Sequence, residues 1–370
     1  MLNSLQSLWT LRWRQQPPQY RPLPPHIERT FVPTPSGDLE LLISRPKQFN
    51  TSPSRVRQPP VLFVHGGFGS AGVWLEWMTY LHESGYNGIL YACSLRNHGA
   101  SYSVPFWKMV WQTPLEACAT DLLACLKHAK ADAGEDLVLI GHSSGGGLSQ
   151  YVLSKGECQA RALCLVDAIP HFGSFDVYWN WFKQDPWFPM RSWLHLQHPT
   201  SPLSSVSLVH GAFFGSRYPR SRVPEFMRWM PAYESMRWPM GMTGNFGDWW
   251  RGRCTWLEPR SILKSIARPP NERNLDRVCI VVGSEDMMMD LGMCRRQAAE
   301  YREANSEAER ETEPLSVSYR RGNDEMIDGV RIEKNQGVRL VVVEGAGHHS
   351  QNDVQCESGA EALRQWLTDL

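Results

Sequence analysis

Residues Leu137 to Gly147 read Leu-Val-Leu-Ile-Gly-His-Ser-Ser-Gly-Gly-Gly, an apolar run that breaks off into serine and glycine. Four consecutive apolar residues, some β-branched, predict a strand buried on both faces of a parallel sheet. The segment from Ser143 to Leu153 predicts a helix, which leaves Ser143 at the turn between the two. A reversal this tight strains the backbone at the serine, and close packing of helix on strand leaves no room for side chains at Gly141 and Gly145.

The same alternation extends in both directions. Upstream, Val61-Leu62-Phe63-Val64 is a second buried strand, running into His65-Gly66-Gly67-Phe68-Gly69 and then a helix with Trp74, Trp77, Met78 and Leu81 on one face. Gly88 to Ala92 predicts the next strand, followed by Ser94-Leu95-Arg96-Asn97-His98-Gly99-Ala100-Ser101. Thr113-Pro114-Leu115-Glu116 has the spacing of a capping box and predicts a helix start there. Ala162 to Val166 predicts a further strand. Before all of these, Ile27 to Val32 and Leu39 to Ser44 flank the turn signal Pro35-Ser36-Gly37-Asp38 and predict an antiparallel hairpin. Strands and helices alternating at this spacing indicate an α/β fold: a mostly parallel sheet covered by helices on both faces.

Between His171 and Trp256 the alternation stops. This stretch carries Trp179, Trp181, Trp187, Trp193, Trp229, Trp238, Trp249, Trp250 and Trp256, which suggests an inserted cap folded over the mouth of the sheet and enclosing an apolar pocket. The core pattern resumes with Val278 to Gly283, a helix around Gly292 to Ala304 and the strand Val338 to Val343, and closes with a helix bearing Leu363, Trp366, Leu367 and Leu370. The resulting division is an arm over 1–26, a first core segment over 27–170, the cap over 171–260 and a second core segment over 261–370. Residues 305–336, polar and without period, are expected to form a flexible insertion.

Composition narrows the function classes. The 370 residues are 42% hydrophobic and carry 38 basic and 38 acidic side chains, a balance that favours neither nucleic acid nor an anionic membrane as partner and suits an uncharged small molecule. The nine cysteines are scattered, with no C-x-x-C pair, and read as reduced core residues of an intracellular protein. The cytoplasm is the expected compartment. Met1 to Arg14, basic and free of acidic residues, is the alternative signal, for mitochondrial import or an interfacial helix. No apolar run reaches the length of a membrane span.

Taken together, the strand, the G-x-S-x-G turn and the following helix resemble the nucleophile elbow of the α/β-hydrolase fold family. The Arg96-Asn97-His98-Gly99-Ala100-Ser101 segment brings the chain nearest to the lysophospholipase or monoacylglycerol-lipase-like esterases, which read Arg-Gly-His-Gly-x-Ser there. The resemblance runs from about Val61 to Leu370. It implies a serine, an acid and a histidine in that chain order, each after a strand. Ser143 is then the nucleophile, His348 in Glu344-Gly345-Ala346-Gly347-His348-His349 the general base and acid, and Asp286 in Gly283-Ser284-Glu285-Asp286 the orienting carboxylate. Asp167, after the strand Ala162 to Val166, is the competing acid, with Glu285 and Asp290 close to Asp286. An oxyanion needs two converging amides: Ser144, just after the nucleophile, and Gly67, with Phe68 as second choice. His142, Phe68, Trp179 and Trp181 are candidate substrate contacts.

The expected chemistry is hydrolysis of an ester or thioester in an apolar acyl or polyketide-like substrate, with acyl transfer, elimination or cyclisation by the same residues as the alternative. A rival of another class arises from Gly67 to Gly72, which matches G-x-G-x-x-G between a strand and a helix; an NADP-dependent oxidoreductase would use it, with Arg96 on the 2′-phosphate. That rival leaves Ser143, Asp286 and His348 unexplained. With no H-E-x-x-H, no zinc-spaced Cys/His cluster and no G-x-x-x-x-G-K, no metal or cofactor is expected.

Overall fold

A computed structural model describes residues 11–14, 21–46, 57–251, 256–267, 275–312 and 324–370. Its apolar runs form β1 (Ile27–Thr34), β2 (Gly37–Ser44), β3 (Val61–Val64), β4 (Leu90–Cys93), β5 (Val138–His142), β6 (Ala162–Val166), β7 (Val278–Gly283), β8 (Asp324–Ile327), β9 (Val330–Asn335) and β10 (Val338–Val343). They join in one 10-stranded sheet in the order β1-β2-β4-β3-β5-β6-β7-β10-β9-β8. The stretch from β4 to β10 is parallel throughout, and the hairpins β1–β2 and β8–β9 extend it with antiparallel pairing.

Every residue of β3, β4, β5, β6, β7 and β10 is buried, as strands covered on both faces require. On one face Trp74, Trp77 and Met78 pack with Leu363, Trp366 and Leu367 of the last helix, Cys356–Thr368. On the other, the helices Leu115–Ala133, Ser144–Ser154 and Leu291–Thr312 share a core with residues of the β6–β7 insertion, among them Phe213 and Trp238. Strand order reverses beside β3: the chain steps outward to β4 and then back across to β5. The loops after β3 and β5 therefore diverge at their carboxyl ends and leave a crevice there, the usual place for a ligand in an open α/β sheet.

The glycines of the 137–147 stretch act by their missing side chains. A Cβ at Gly145 would lie 2.2 Å from the His65 carbonyl oxygen, and one at Gly141 would lie 2.5 Å from the Gly146 Cα. Both obstacles are backbone, so neither can swing aside. Gly145→Ala is expected to cost about 1–3 kcal/mol, read as a lower urea midpoint at unchanged m. A midpoint equal to that of the unmodified protein would show that the helix can slide off the β3 loop.

Several local expectations are corrected. Thr113 does not cap the helix Leu115–Ala133: its hydroxyl donates to the Lys108 carbonyl at 2.9 Å, and Pro114 holds the cap position without a side-chain bond. The reason is a helix over Phe106–Gln112 that the sequence reading did not anticipate, which Thr113 terminates. Of the region 305–336, expected as a flexible insertion, residues 313–323 lie outside the described residues and the rest is largely regular. The helix Leu291–Thr312 runs well into it, and β8 and β9 then add to the sheet through the tight turns Asp328-Gly329 and Gln336-Gly337, all four residues having positive φ. Val330 and Ile332 are buried while Arg331 and Glu333 are not, the alternation of a strand with one wet face.

Between β6 and β7 the described residues form short helices, including Phe175–Gln184, Phe188–Leu194, Val206–Phe213 and Val223–Arg228, and no named strand. Of the amino-terminal arm, Trp13 lies against Phe106 and His198, with ring centroids 5.1 and 4.6 Å away. Residues 1–10, which carry most of the proposed targeting signal, lie outside the described residues. Among the described residues no helix is long and apolar enough to cross a membrane, and the eight described cysteines are free thiols.

Candidate active site

β5 ends at His142 and the following helix begins at Ser144, so Ser143 takes the whole reversal at φ 52°, ψ −125°. That conformation is costly for a residue with a Cβ. It is pinned on both sides: the Ser143 amide donates to the Val166 carbonyl at 3.0 Å, and the Ser143 carbonyl accepts from Ile169 at 3.0 Å. Its hydroxyl is thereby turned out of the sheet toward the loop after β10.

His348 sits in that loop, 2% exposed, with Nε2 2.9 Å from the Ser143 Oγ and Nδ1 2.8 Å from the Asp286 Oδ2. A carboxylate on Nδ1 fixes the tautomer: Nδ1 carries the proton, and the lone pair on Nε2 faces the serine hydroxyl. Asp286 is held by its other oxygen, which accepts the Met288 and Met289 amides at 2.8 and 3.0 Å. Burial alone would push this carboxyl up, but the His348 ring and the two amides outweigh it and hold the group below its ordinary value. The methionine run after Asp286 is thus the turn that presents two amides to it.

The competing acid, Asp167, is fully buried beside this arrangement, in left-handed backbone with φ 44°. Its oxygens accept from the Gly283 amide at 2.8 Å and the Ser350 hydroxyl at 2.7 Å. Burial and the neighbouring Asp286 charge push its carboxyl well above the ordinary range, and its two bonds tie the ends of β6 and β7 to the histidine loop. Glu285 points elsewhere and accepts from the Ser216 hydroxyl at 3.2 Å.

The loop after β3 lies across from the elbow. His65 donates from Nδ1 to the Gly66 carbonyl and accepts at Nε2 from the Leu95 amide, at 2.7 and 3.1 Å; burial holds it neutral, far below the ordinary histidine value. It shapes the loop. The Gly67 amide then donates to the Ser144 Oγ at 2.8 Å, while the Phe68 amide donates to the Glu234 Oε2 at 3.0 Å. Ser144 is the first residue of its helix, so its own amide has no acceptor within the helix and lies at the positive end of the helix dipole.

Comparison with known proteins decides the family. The model described as "Alpha/beta hydrolase family" matches residues 61–357. The chain belongs to the α/β hydrolase family. A curated relative, the non-heme chloroperoxidase CPO-A1 of Kitasatospora aureofaciens, is 33% identical over 112 residues, which are 30% of this chain and 37% of that protein. Two solved structures share the fold at low identity. A soluble variant of the Saccharomyces cerevisiae monoglyceride lipase superposes with a TM-score of 0.57 at 13% identity, over 92% of this chain and 96% of that one. A thioesterase domain from the curacin biosynthetic pathway gives 0.52 at 16%, over 93% and 99%.

In this α/β hydrolase the Arg96 guanidinium is turned onto its own fold: Nε and Nη2 grip Asp121 at 2.7 Å each, and Nη2 also donates to the Ala117 carbonyl. It is not free to hold a 2′-phosphate, and the glycine loop 67–72 lies within the matched family range, so the dinucleotide reading gives way. Asn97, where the resemblance led us to look for glycine, has φ 66°, a left-handed conformation that asparagine tolerates better than most residues. Among the described residues no group of three or more His, Cys, Asp or Glu is placed to hold a metal ion.

Of the expected substrate contacts, His142 is enclosed and the two tryptophans stack on rings of their own insertion. His142 is 1% exposed, and its Nε2 donates to the His348 carbonyl at 2.9 Å. Burial and the nearby His348 ring lower it to about 3, so it is a neutral prop behind the histidine loop rather than a substrate contact. Trp179 is 52% exposed and stacks on Phe182, while Trp181 stacks on Phe188 against the main core. The insertion reaches the site through other residues. Phe213 places its ring 6.1 Å from that of His348 and its carbonyl on the His349 amide, while Glu234 meets the β3 loop and Tyr233 the loop after β4. Nothing in the local sequence around Glu234 signals that role.

Proposed function

We propose that this protein is a serine hydrolase that cleaves ester or thioester bonds of apolar acyl or polyketide-like substrates through an acyl-enzyme. The observation that carries the reading is His348, bonded at once to Ser143 and Asp286. In the acylation step His348 Nε2 takes the Ser143 proton as Oγ attacks the carbonyl carbon, and then returns it to the leaving oxygen or sulfur. Water activated by the same nitrogen releases the acid. Asp286 keeps the ring in its productive tautomer and stabilises the imidazolium.

The amides of Gly67 and Ser144 are the oxyanion donors in this reading. The Ser144 hydroxyl now on Gly67 marks a site where an acceptor oxygen is welcome, and it must turn aside for the substrate. Phe68 is the weaker choice because its amide is already held by Glu234. We assign the insertion after β6 as the cap. Phe213, Phe214 and Phe226 cluster against the His348–His349 loop and supply the apolar wall. The lipase and thioesterase chemistry in the names of the two structural neighbours agrees with this class. The absence of disulfides among the described cysteines fits the cytoplasm as compartment.

A chain-length series tests the pocket. With p-nitrophenyl esters, kcat/KM is expected to rise about fourfold for each added methylene that is buried, since each is worth about 0.8 kcal/mol, and charged short esters should be poor. Equal kcat/KM for acetyl and long-chain esters would remove the apolar wall from the account. If hydrolysis is slow while an alcohol or amine acceptor is acylated quickly, acyl transfer replaces hydrolysis with the same residues.

A further inference from the structure

We infer that Glu234 of the insertion and His98 of the loop after β4 form a buried, proton-sharing clamp that positions the oxyanion loop through the Phe68 amide. The inference rests on the proposed serine-hydrolase chemistry for its consequence but not for its geometry.

Glu234 and His98 are 3% and 1% exposed, and neither takes part in the Ser143, His348 and Asp286 constellation. The Glu234 Oε2 is shared between the Phe68 amide at 3.0 Å and the His98 Nε2 at 2.7 Å, and its Oε1 accepts from the Ser235 amide at 2.8 Å. The other His98 nitrogen, Nδ1, is 2.7 Å from the Arg96 carbonyl. A carbonyl only accepts, so Nδ1 must carry a proton. Nε2 then faces a carboxylate oxygen, and two lone pairs cannot meet at that distance. The pair therefore holds one proton more than a neutral imidazole and a free carboxylate would. Both Glu234 oxygens already accept backbone amides, from Phe68 and Ser235, which places the proton on His98.

The other groups around the pair agree. His65, whose ring is 4.6 Å from that of His98, has both nitrogens committed and stays neutral. Asp121 is neutralised by Arg96, and Cys118 is a buried thiol. Burial by itself would lower His98, but the Glu234 charge and hydrogen bond reverse this, and its value is raised.

The clamp acts on the backbone beside the reacting atoms. Phe68 has φ 58°, a conformation that a bulky residue keeps only when its surroundings hold it there. The hydrogen bond from Phe68 to Glu234 is such a hold, and the adjacent amide is that of Gly67. Glu234 is in turn fixed by its neighbour: the Tyr233 carbonyl accepts from Asn97 at 3.0 Å, and the Tyr233 hydroxyl donates to the Val104 carbonyl at 2.7 Å. Glu234 and His98 are thus positioning residues that lock the insertion onto the loop carrying the Gly67 amide. This also gives a role to the Arg96–Ser101 segment, which the triad alone leaves without one.

The sign of the pH effect follows. His98 is raised in the folded protein, so the pair is intact at low pH and is lost as pH rises through the folded value, when Glu234 loses its partner. The test compares the unmodified protein with Glu234→Gln, which keeps the size of the side chain but not its charge, and with His98→Gln. Nitrogen-15 NMR of the imidazoles should show His98 doubly protonated at pH 7 in the unmodified protein and neutral in Glu234→Gln, and the Phe68 amide should exchange with solvent faster in both variants. In ester hydrolysis kcat should fall about 10- to 100-fold with KM nearly unchanged, and the alkaline limb of the kcat–pH profile that titrates with His98 should vanish in Glu234→Gln. A neutral His98 at pH 7 in the unmodified protein, or unchanged Phe68 exchange in both variants, overturns the clamp. So does a folded Glu234→Gln whose kcat and pH profile match those of the unmodified protein. The NMR and exchange arms need no turnover, so a protein without esterase activity would refute the proposed reaction and leave the clamp to be judged on its own.

Discussion

Ser143→Ala is expected to lower kcat for an ester substrate by roughly four to six orders of magnitude, leaving a small residue above the uncatalysed rate. In the proposed mechanism that residual activity survives because the Gly67 and Ser144 amides still meet the oxyanion when water attacks directly. Stability should change little or rise. Among the described residues the Ser143 hydroxyl is bonded to His348 alone, its Cβ lies beside Gly66, and alanine retains that Cβ. Initial rates at saturating ester, with thermal unfolding alongside, check both halves of the expectation. Activity within tenfold of the unmodified protein would mean that the acyl group is carried elsewhere.

The second large effect separates two carboxyl groups that sequence alone could not rank with certainty. Asp286→Asn is expected to cost about four orders of magnitude in kcat, because an amide keeps the shape, permits the wrong tautomer and does not stabilise the imidazolium. Asp167→Asn should leave turnover within a few-fold. Asp167 holds the Gly283 amide and the Ser350 hydroxyl while the His348 ring is bonded to Asp286, and an asparagine oxygen can still accept the Gly283 amide while its nitrogen meets Ser350. Steady-state kcat for the two variants decides the matter. A large loss in Asp167→Asn with near-normal turnover in Asp286→Asn would move the acid to the end of β6.

What the sequence made legible follows from how local each signal is. Strands buried on both faces announce themselves as short apolar runs, and the elbow needs its glycines within a few residues of the serine, so β3, β5, β6, β7, β10 and Ser143 could be read directly. His348 and Asp286 were candidates because the resemblance places a histidine and an acid just past the ends of such strands, a position that Asp167 shares. The signal at Thr113 was equally local but ambiguous: Thr-x-x-Glu fits a helix start, yet the hydroxyl was taken by the helix before it. The hairpin β8–β9 was hidden by its charged face, although Asp328-Gly329 between alternating residues was a usable turn signal.

The contacts between the insertion and the core were the least legible. Glu234 meets His98 and Phe68 across more than a hundred residues of chain, and no periodicity or spacing marks a single glutamate for such a partner. The tryptophans illustrate the same limit from the other side. Their density predicted an apolar enclosure, yet Trp187, Trp193 and Trp250 are 69%, 71% and 77% exposed, while Trp238 is buried. Composition gives the amount of aromatic surface; which face it covers depends on how the short helices pack.

The central claim is that Ser143 is the covalent nucleophile, and covalent labelling tests it most directly. The folded protein is treated with a fluorophosphonate probe, digested, and the modified residue located by mass spectrometry, with Ser143→Ala treated in parallel. The account predicts one stoichiometric adduct on Ser143 and none in the variant. An adduct on Ser144 or Ser101, or equal labelling of the two proteins, would contradict it.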